Sequence, residues 1–123
     1  MTSRPLLGVP VLAPHEPLRR LVESVNGEAR LLIIDNSAGA ITDWSYLPDD
    51  AHITQPYSNL GVAGSWNSII RQSVSEPYWL IANADTELAP GALRYVADEL
   101  EEGGPRWVGI DGDWRLMGLT PET

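Results

Sequence analysis

Leu31-Leu32-Ile33-Ile34-Asp35-Asn36-Ser37 is the segment that decides the fold. An unbroken apolar run that ends in turn-forming polar residues reads as a strand buried on both faces, the kind found inside parallel sheets. Upstream, Leu18, Leu21, Val22 and Val25 recur at i, i+3, i+4 and i+7, which is one face of a helix. Pro17 suits the first turn of that helix, where a missing N–H costs nothing, and Asn26-Gly27 stops it. Further back, Leu6-Leu7-Gly8-Val9-Pro10-Val11-Leu12 is another apolar run of strand length. Pro10 within it predicts an edge position or a strand that ends there. Strand, helix, strand in this order predicts a βαβ unit with parallel strands.

The alternation continues downstream. A loop with Pro48-Asp49-Asp50 leads to a short strand at Ala51-His52-Ile53-Thr54. A second helix opens at Asn59-Leu60-Gly61, with Val62, Trp66, Ile69 and Ile70 expected on one face and Trp66 in the core; Ser75-Glu76-Pro77 stops it. Tyr78-Trp79-Leu80-Ile81-Ala82 reads as the next strand, running into Asn83-Ala84-Asp85-Thr86-Glu87. Pro90 starts a third helix, in which Leu93, Val96, Ala97 and Leu100 repeat the helical spacing before Gly103-Gly104-Pro105. Trp107-Val108-Gly109-Ile110 is the last strand, ahead of Asp111-Gly112-Asp113. The expectation is one α/β domain over residues 1–123, a mostly parallel sheet with helices on both faces and right-handed crossovers.

Composition removes many kinds of chemistry. The 8 basic residues are all arginine, so there is no lysine for a Schiff base or a phosphate-binding P-loop. Without cysteine there is no thiol nucleophile, disulfide or iron–sulfur cluster, and with His15 and His52 as the only histidines a His-rich zinc site is disfavoured. A net charge of −9 argues against non-specific binding to nucleic acid or an anionic membrane. No apolar run approaches the ~18 residues of a membrane span, and no signal-peptide stretch opens the chain. The cytoplasm is the expected compartment.

Ligands of open parallel sheets bind beyond the carboxyl ends of the strands. Three polar clusters are expected on that edge: Asp35-Asn36-Ser37, Asn83-Ala84-Asp85, and the helix start Asn59-Leu60-Gly61-Val62-Ala63-Gly64. Strand alternation would put the side chains of Asn83 and Asp85 on one side, where a carboxylate and an amide oxygen suit Mg²⁺ or Mn²⁺. Such a cation would also screen a diphosphate from a chain of charge −9. Asp85 reads equally as a cap of the following turn or helix. Asp35 reads either as a strand-terminal turn residue or as an acceptor for a base or ribose. Gly61 and Gly64 allow close approach of backbone to ligand, or simply tight packing. A nicotinamide dehydrogenase is disfavoured, because no G-x-G-x-x-G follows the first strand, where Val9-Pro10-Val11 stands.

Taken together, these segments resemble the GT-A glycosyltransferases of family 2, especially the rhamnosyltransferase-like branch. Val9-Pro10-Val11 with Leu18-Arg19-Arg20-Leu21 looks like that family's first strand and helix, and Leu32-Ile33-Ile34-Asp35-Asn36-Ser37 like its second strand. Asn59-Leu60-Gly61-Val62-Ala63-Gly64-Ser65-Trp66-Asn67 is similar to its N-x-G-x-A-G-x-x-N segment, and Asn83-Ala84-Asp85 to the Asn-initiated variant of its D-x-D metal motif. The four motifs stand in the family's order over roughly residues 6 to 118. The resemblance implies a GT-A, Rossmann-like sheet, here minimal or truncated, and a donor site that includes Pro10, Val11, Asp35, Asn36, Asn59, Gly61, Gly64, Asn67, Asn83, Ala84 and Asp85. Asp35 would hold the base, Asn83 and Asp85 the ribose and a Mn²⁺ or Mg²⁺ ion, and Asn67 would brace the helix.

Two departures from the family pattern stand out. Leu12 and Ala13 occupy positions where the family often has an aromatic residue and an Asn that contact the base. The family's domain also continues into an acceptor half that carries the general base, whereas this sequence ends at Thr123; Asp111 and Asp113 are the substitutes in principle. The expected function is transfer of a sugar from a UDP- or dTDP-linked donor to an acceptor the sequence does not identify, with a second subunit or self-association completing the site. The alternatives are a non-catalytic nucleotide-sugar-binding module and a degenerate scaffold.

Overall fold

The computed structural model describes residues 4–13, 16–103, 107–110 and 116–119. Along the chain lie β1 (Leu6–Val11), α1 (Glu16–Val25), β2 (Arg30–Asp35), β3 (His52–Thr54), α2 (Gly61–Gln72), β4 (Trp79–Ile81), α3 (Ala92–Gly103), β5 (Trp107–Ile110) and β6 (Leu116–Leu119). β1 to β4 form a sheet in the order β3-β2-β1-β4, and every pairing in it is parallel. The expected α/β class and parallel sheet are thus present. β5 does not extend that sheet; it pairs antiparallel with β6, Trp107 opposite Leu119 and Ile110 opposite Leu116. The sequence pattern does not announce β6, because Leu116-Met117-Gly118-Leu119 is short, contains glycine and has no β-branched residue to favour a strand.

Alternation along the strands divides the core in two. Leu7, Val9 and Val11 of β1 join Leu31 and Ile33 of β2 on the face covered by Leu18, Leu21, Val22 and Val25 of α1 and Leu93 of α3. Leu6, Leu32 and Ile34 face the other way, against Ile69 of α2. Crossovers of one hand that run in opposite directions place their helices on opposite faces, which is why α1 and α2 flank the sheet from two sides. Among the described residues the first cluster holds 13 buried residues and the second 4. At about 1.5–3 kcal/mol for each large apolar side chain buried, the α1 face carries the larger share of the hydrophobic stabilisation among those residues.

Two residues explain how the sheet tolerates its neighbours. β1 is interior, yet Pro10 fits, because β4 pairs only with Leu6, Leu7 and Gly8. The carbonyl of Val11 accepts from Asn36 N on the β2 side, so the N–H that Pro10 lacks would point towards β4, past its last ladder pairing. Gly8 lies under α2: a Cβ there would stand 2.5 Å from Ile69 Cγ2. Its bare backbone lets Ile69 settle on the sheet, fully buried.

α2 is rotated away from the apolar face expected for it. Its buried residues are Ser65, Ser68 and Ile69. Trp66 is 43% exposed and Val62 is 70% exposed, so Trp66 is not a core residue. Polar links set this rotation. Asn36 Nδ2 donates to Ser65 Oγ at 2.8 Å, and Gln72 Nε2 donates to Thr54 Oγ1 of β3 at 3.1 Å. Among the described residues no helix is long and apolar enough to cross a membrane.

Candidate functional site

Because β1 to β4 run parallel, their carboxyl ends share one edge, and the three polar clusters lie along it. The chain steps from β1 to β2 to β3, then returns to place β4 on the other side of β1. The reversal puts the topological switch point between β1 and β4, where a crevice opens in folds of this kind. β4 leaves the ladder at Ile81 opposite Gly8, while β1 runs on to Val11. The turn after β4 therefore lies at this switch point.

That turn is built on a hydrogen bond from Thr86 N to Asn83 O, 3.0 Å, with Ala84 and Asp85 at its central positions. Strand alternation does not govern it, since the strand has already ended. In the turn Ala84 faces the core, and Asn83 and Asp85 are exposed. Leu88 N donates to Ser24 Oγ of α1, 3.0 Å, and ties the loop down a few residues later. α3 begins at Ala92, two residues after Pro90 and too far along for Asp85 to cap it. Among the described residues no group of three or more His, Asp or Glu side chains gathers in metal-binding geometry. Asn83 and Asp85 thus offer at most two protein ligands, which fits an ion that keeps waters and takes substrate oxygens.

Asp35 closes β2 and is 2% exposed. One carboxylate oxygen accepts from Ser37 N at 2.9 Å, and the other accepts from Gln55 Nε2 at 3.2 Å. The first bond is the local turn that strand-terminal aspartates favour. Asn36, also buried, is a clamp: besides its bond to Ser65, its Oδ1 accepts from Leu60 N at 3.0 Å. It fastens the start of α2 to the end of β2. Asn67, expected to brace the helix, is exposed on the side of α2 turned away from the sheet. The bracing residues are Asn36 and Ser65.

Asn59 Oδ1 accepts from Gly61 N at 2.9 Å, and Gly61 adopts φ +71°, a left-handed conformation for which glycine is suited. Gly64 gives room of a different kind: a Cβ there would meet Leu60 Cβ at 3.0 Å, a tight contact that Leu60 would have to yield to by a few tenths of an ångström. The first turn of α2 carries no acidic residue, and Leu60 at its N-cap offers no side-chain acceptor, so beyond the Gly61 N–H held by Asn59 the helix start keeps its dipole's locally positive character. Val11 contributes its backbone to this edge and its side chain to the core, while Pro10 is half-buried beside it. Asp111 and Asp113 lie outside the described residues.

A hollow of about 200 Å³ opens between the start of α1 and the loop after β2, lined in part by Arg19, Thr42, Asp43 and Tyr46. The Arg19 guanidinium stands 5.1 Å from the centre of the Tyr46 ring. Hydrogen bonds from Ser45 hold the Asp43 carboxyl below its usual range, and burial pushes the Tyr46 phenol up. The sequence does not single out this hollow: Leu18 and Arg19 are read there only as part of the first helix, and Thr42, Asp43 and Tyr46 stand in no motif. Gly8 and Gln55 are likewise not flagged by motif, and Ser65 falls at an unspecified position of the Asn59–Asn67 segment. A glycine inside a strand was the one available signal, since it often marks close approach of another backbone or helix. No family model matches the chain, and no curated protein matches it.

Proposed function

We propose that the carboxyl edge of the sheet binds a nucleoside diphosphate sugar, UDP- or dTDP-linked, and that the chain is the donor-binding part of a GT-A glycosyltransferase of family 2. The observation that carries this reading is the strand order: it sets the exposed Asn83 and Asp85 at the switch point between β1 and β4. Asn83 and Asp85 are hard oxygen donors that fit Mn²⁺ or Mg²⁺. When bound, the ion supplies Lewis-acid stabilisation of the leaving diphosphate. Asp35, at the end of β2, stands two strands from β4, about 10 Å across the sheet. That separation lets one end of a nucleotide address Asp35 while the other addresses Asp85.

Electrostatics support the same orientation. A diphosphate meets repulsion from a chain of charge −9, but residues 51–75 contain no Asp or Glu. That stretch includes the start of α2, where N–H groups favour anions. The test is thermal melting with UDP, dTDP and GDP, each with and without Mn²⁺. A ligand that binds only the native state raises the melting temperature by mass action. The reading expects a metal-dependent rise with UDP or dTDP, lost in Asp85→Ala. No rise with any nucleotide would refute it.

A further inference from the structure

The loop Gln55-Pro56-Tyr57-Ser58-Asn59, between β3 and α2, is pinned at both ends to the carboxyl end of β2. At its start Gln55 Nε2 donates to Asp35 Oδ2 at 3.2 Å. At its end Leu60 N, next after Asn59, donates to Asn36 Oδ1 at 3.0 Å. Two anchors on consecutive residues hold the loop to one place on the edge. Pro56 is half-buried and its ring fixes φ, which stiffens the approach to the bend that follows. In that bend stands Tyr57, with an exposure of 108%, as open as in an extended chain. A tyrosine commonly packs its apolar ring and leaves the hydroxyl in water. Here both faces of the ring are wet.

A nucleobase has an edge and two faces. Under the proposed function Asp35 addresses the edge, and a face still needs a partner. Leu12 leaves β1 on one flank of Asp35, since Val11 and Asp35 are register partners; it is 60% exposed but has no π system. Trp44 and Tyr46, on the loop after β2, pack against the core under α1. Tyr57 lies on the other flank, two residues from Gln55, which is ~7 Å of chain at most. The loop brings no carboxylate to the site, because residues 51–75 contain no Asp or Glu. We infer that Tyr57 is the platform on which the base of the bound nucleotide stacks, an inference that rests on the nucleotide-binding reading. Every base has a π face, so stacking sets how tightly the nucleotide is held and leaves the choice of base to contacts at its edge. A loop already held at both ends loses little freedom when the base arrives.

Calorimetric titration of the full chain with UDP and dTDP, with and without Mn²⁺, tests this on the wild type, Tyr57→Ala and Tyr57→Phe. For whichever nucleotide the wild type binds, Tyr57→Ala weakens binding about 10-fold, as removal of a base-stacking aromatic does. Tyr57→Phe keeps the π face and binds within about 2-fold of the wild type. The factor by which Mn²⁺ strengthens binding is the same in all three chains, because the metal acts at the other end of the nucleotide. The ring is fully exposed, so the unliganded variants melt with the wild type. Equal affinity of the wild type and Tyr57→Ala overturns the inference and leaves the nucleotide reading standing. An equal loss in Tyr57→Ala and Tyr57→Phe also overturns it, and assigns the effect to the hydroxyl. A wild type that binds neither nucleotide removes the reading, and this inference with it.

Discussion

Replacing Asn36 with alanine removes two hydrogen bonds that fasten α2 to the sheet, and the cost can be worked from their surroundings. Ser65, which accepts from Asn36 Nδ2, is 0% exposed, and Leu60 N, which donates to Asn36 Oδ1, sits where the chain enters α2. Leaving a buried polar group without its partner costs about 1–3 kcal/mol. The Ser65 hydroxyl can recover part of this by turning towards a carbonyl one helical turn back, and Leu60 is open enough for its N–H to reach water. The expected loss is therefore about 2–4 kcal/mol, or roughly 8–16 °C in melting temperature for a domain of this size. Urea unfolding of the wild type, Asn36→Ala, Ser65→Ala and the double variant measures the loss and the coupling, which is expected near ~1 kcal/mol. A loss under ~0.5 kcal/mol with no coupling would refute the clamp. If instead Asn36→Ala weakened nucleotide binding while stability stayed intact, Asn36 would be a ligand contact as the sequence motif implies.

Other predictions follow from neighbouring features. Gly8→Ala drives a methyl group into Ile69 and costs about 1–3 kcal/mol by overpacking; Ile69→Ala in the same chain recovers part of it, and unchanged urea midpoints would contradict the contact. Under the proposed function, the Gln55 carboxamide holds the Asp35 oxygen that a base N–H would need. Gln55→Ala then tightens UDP binding about 5-fold, if the displaced bond is worth ~1 kcal/mol, and weaker binding would show that Gln55 positions Asp35 instead. Burial raises the phenols of Tyr46 and Tyr78 above the usual value near 10.0. The folded chain thus holds those protons more tightly than the unfolded one. Their contribution to stability is present below pH ~10 and is lost as pH rises through the folded values. Phenolate absorbance titrated against pH should show Tyr46→Phe and Tyr78→Phe each removing a late-titrating group.

How far the sequence reaches depends on what sets each feature. β1, β2 and α1 were legible because apolar spacing alone determines which side faces a core; Leu18, Leu21, Val22 and Val25 all lie buried as their spacing requires. The parallel arrangement followed from alternation of strand and helix. α2 was legible as a helix, while its rotation was not. Hydrophobicity ranks Trp66 and Ile70 above Ser65 and Ser68, but the serines face the sheet because Asn36 and Thr54 reach across to that side of the helix. Long-range polar links of this kind, 29 residues apart for Asn36 and Ser65, leave no periodic trace. Asp35 and the turn at Asn83 were legible as ends of strands, since polar residues that follow an apolar run mark the edge. Which of their atoms are occupied was not, because the donor to Asp35 comes from Gln55 on another loop.

The measurement that bears most directly on the central claim is calorimetric titration of the wild-type chain and Asp85→Ala with UDP and dTDP, with and without Mn²⁺. The account predicts one-site binding of at least one of the two nucleotides to the wild type, strengthened by Mn²⁺, with the metal-dependent part lost in Asp85→Ala. Nucleotide binding that ignores both Mn²⁺ and Asp85, or no binding at all, would contradict it.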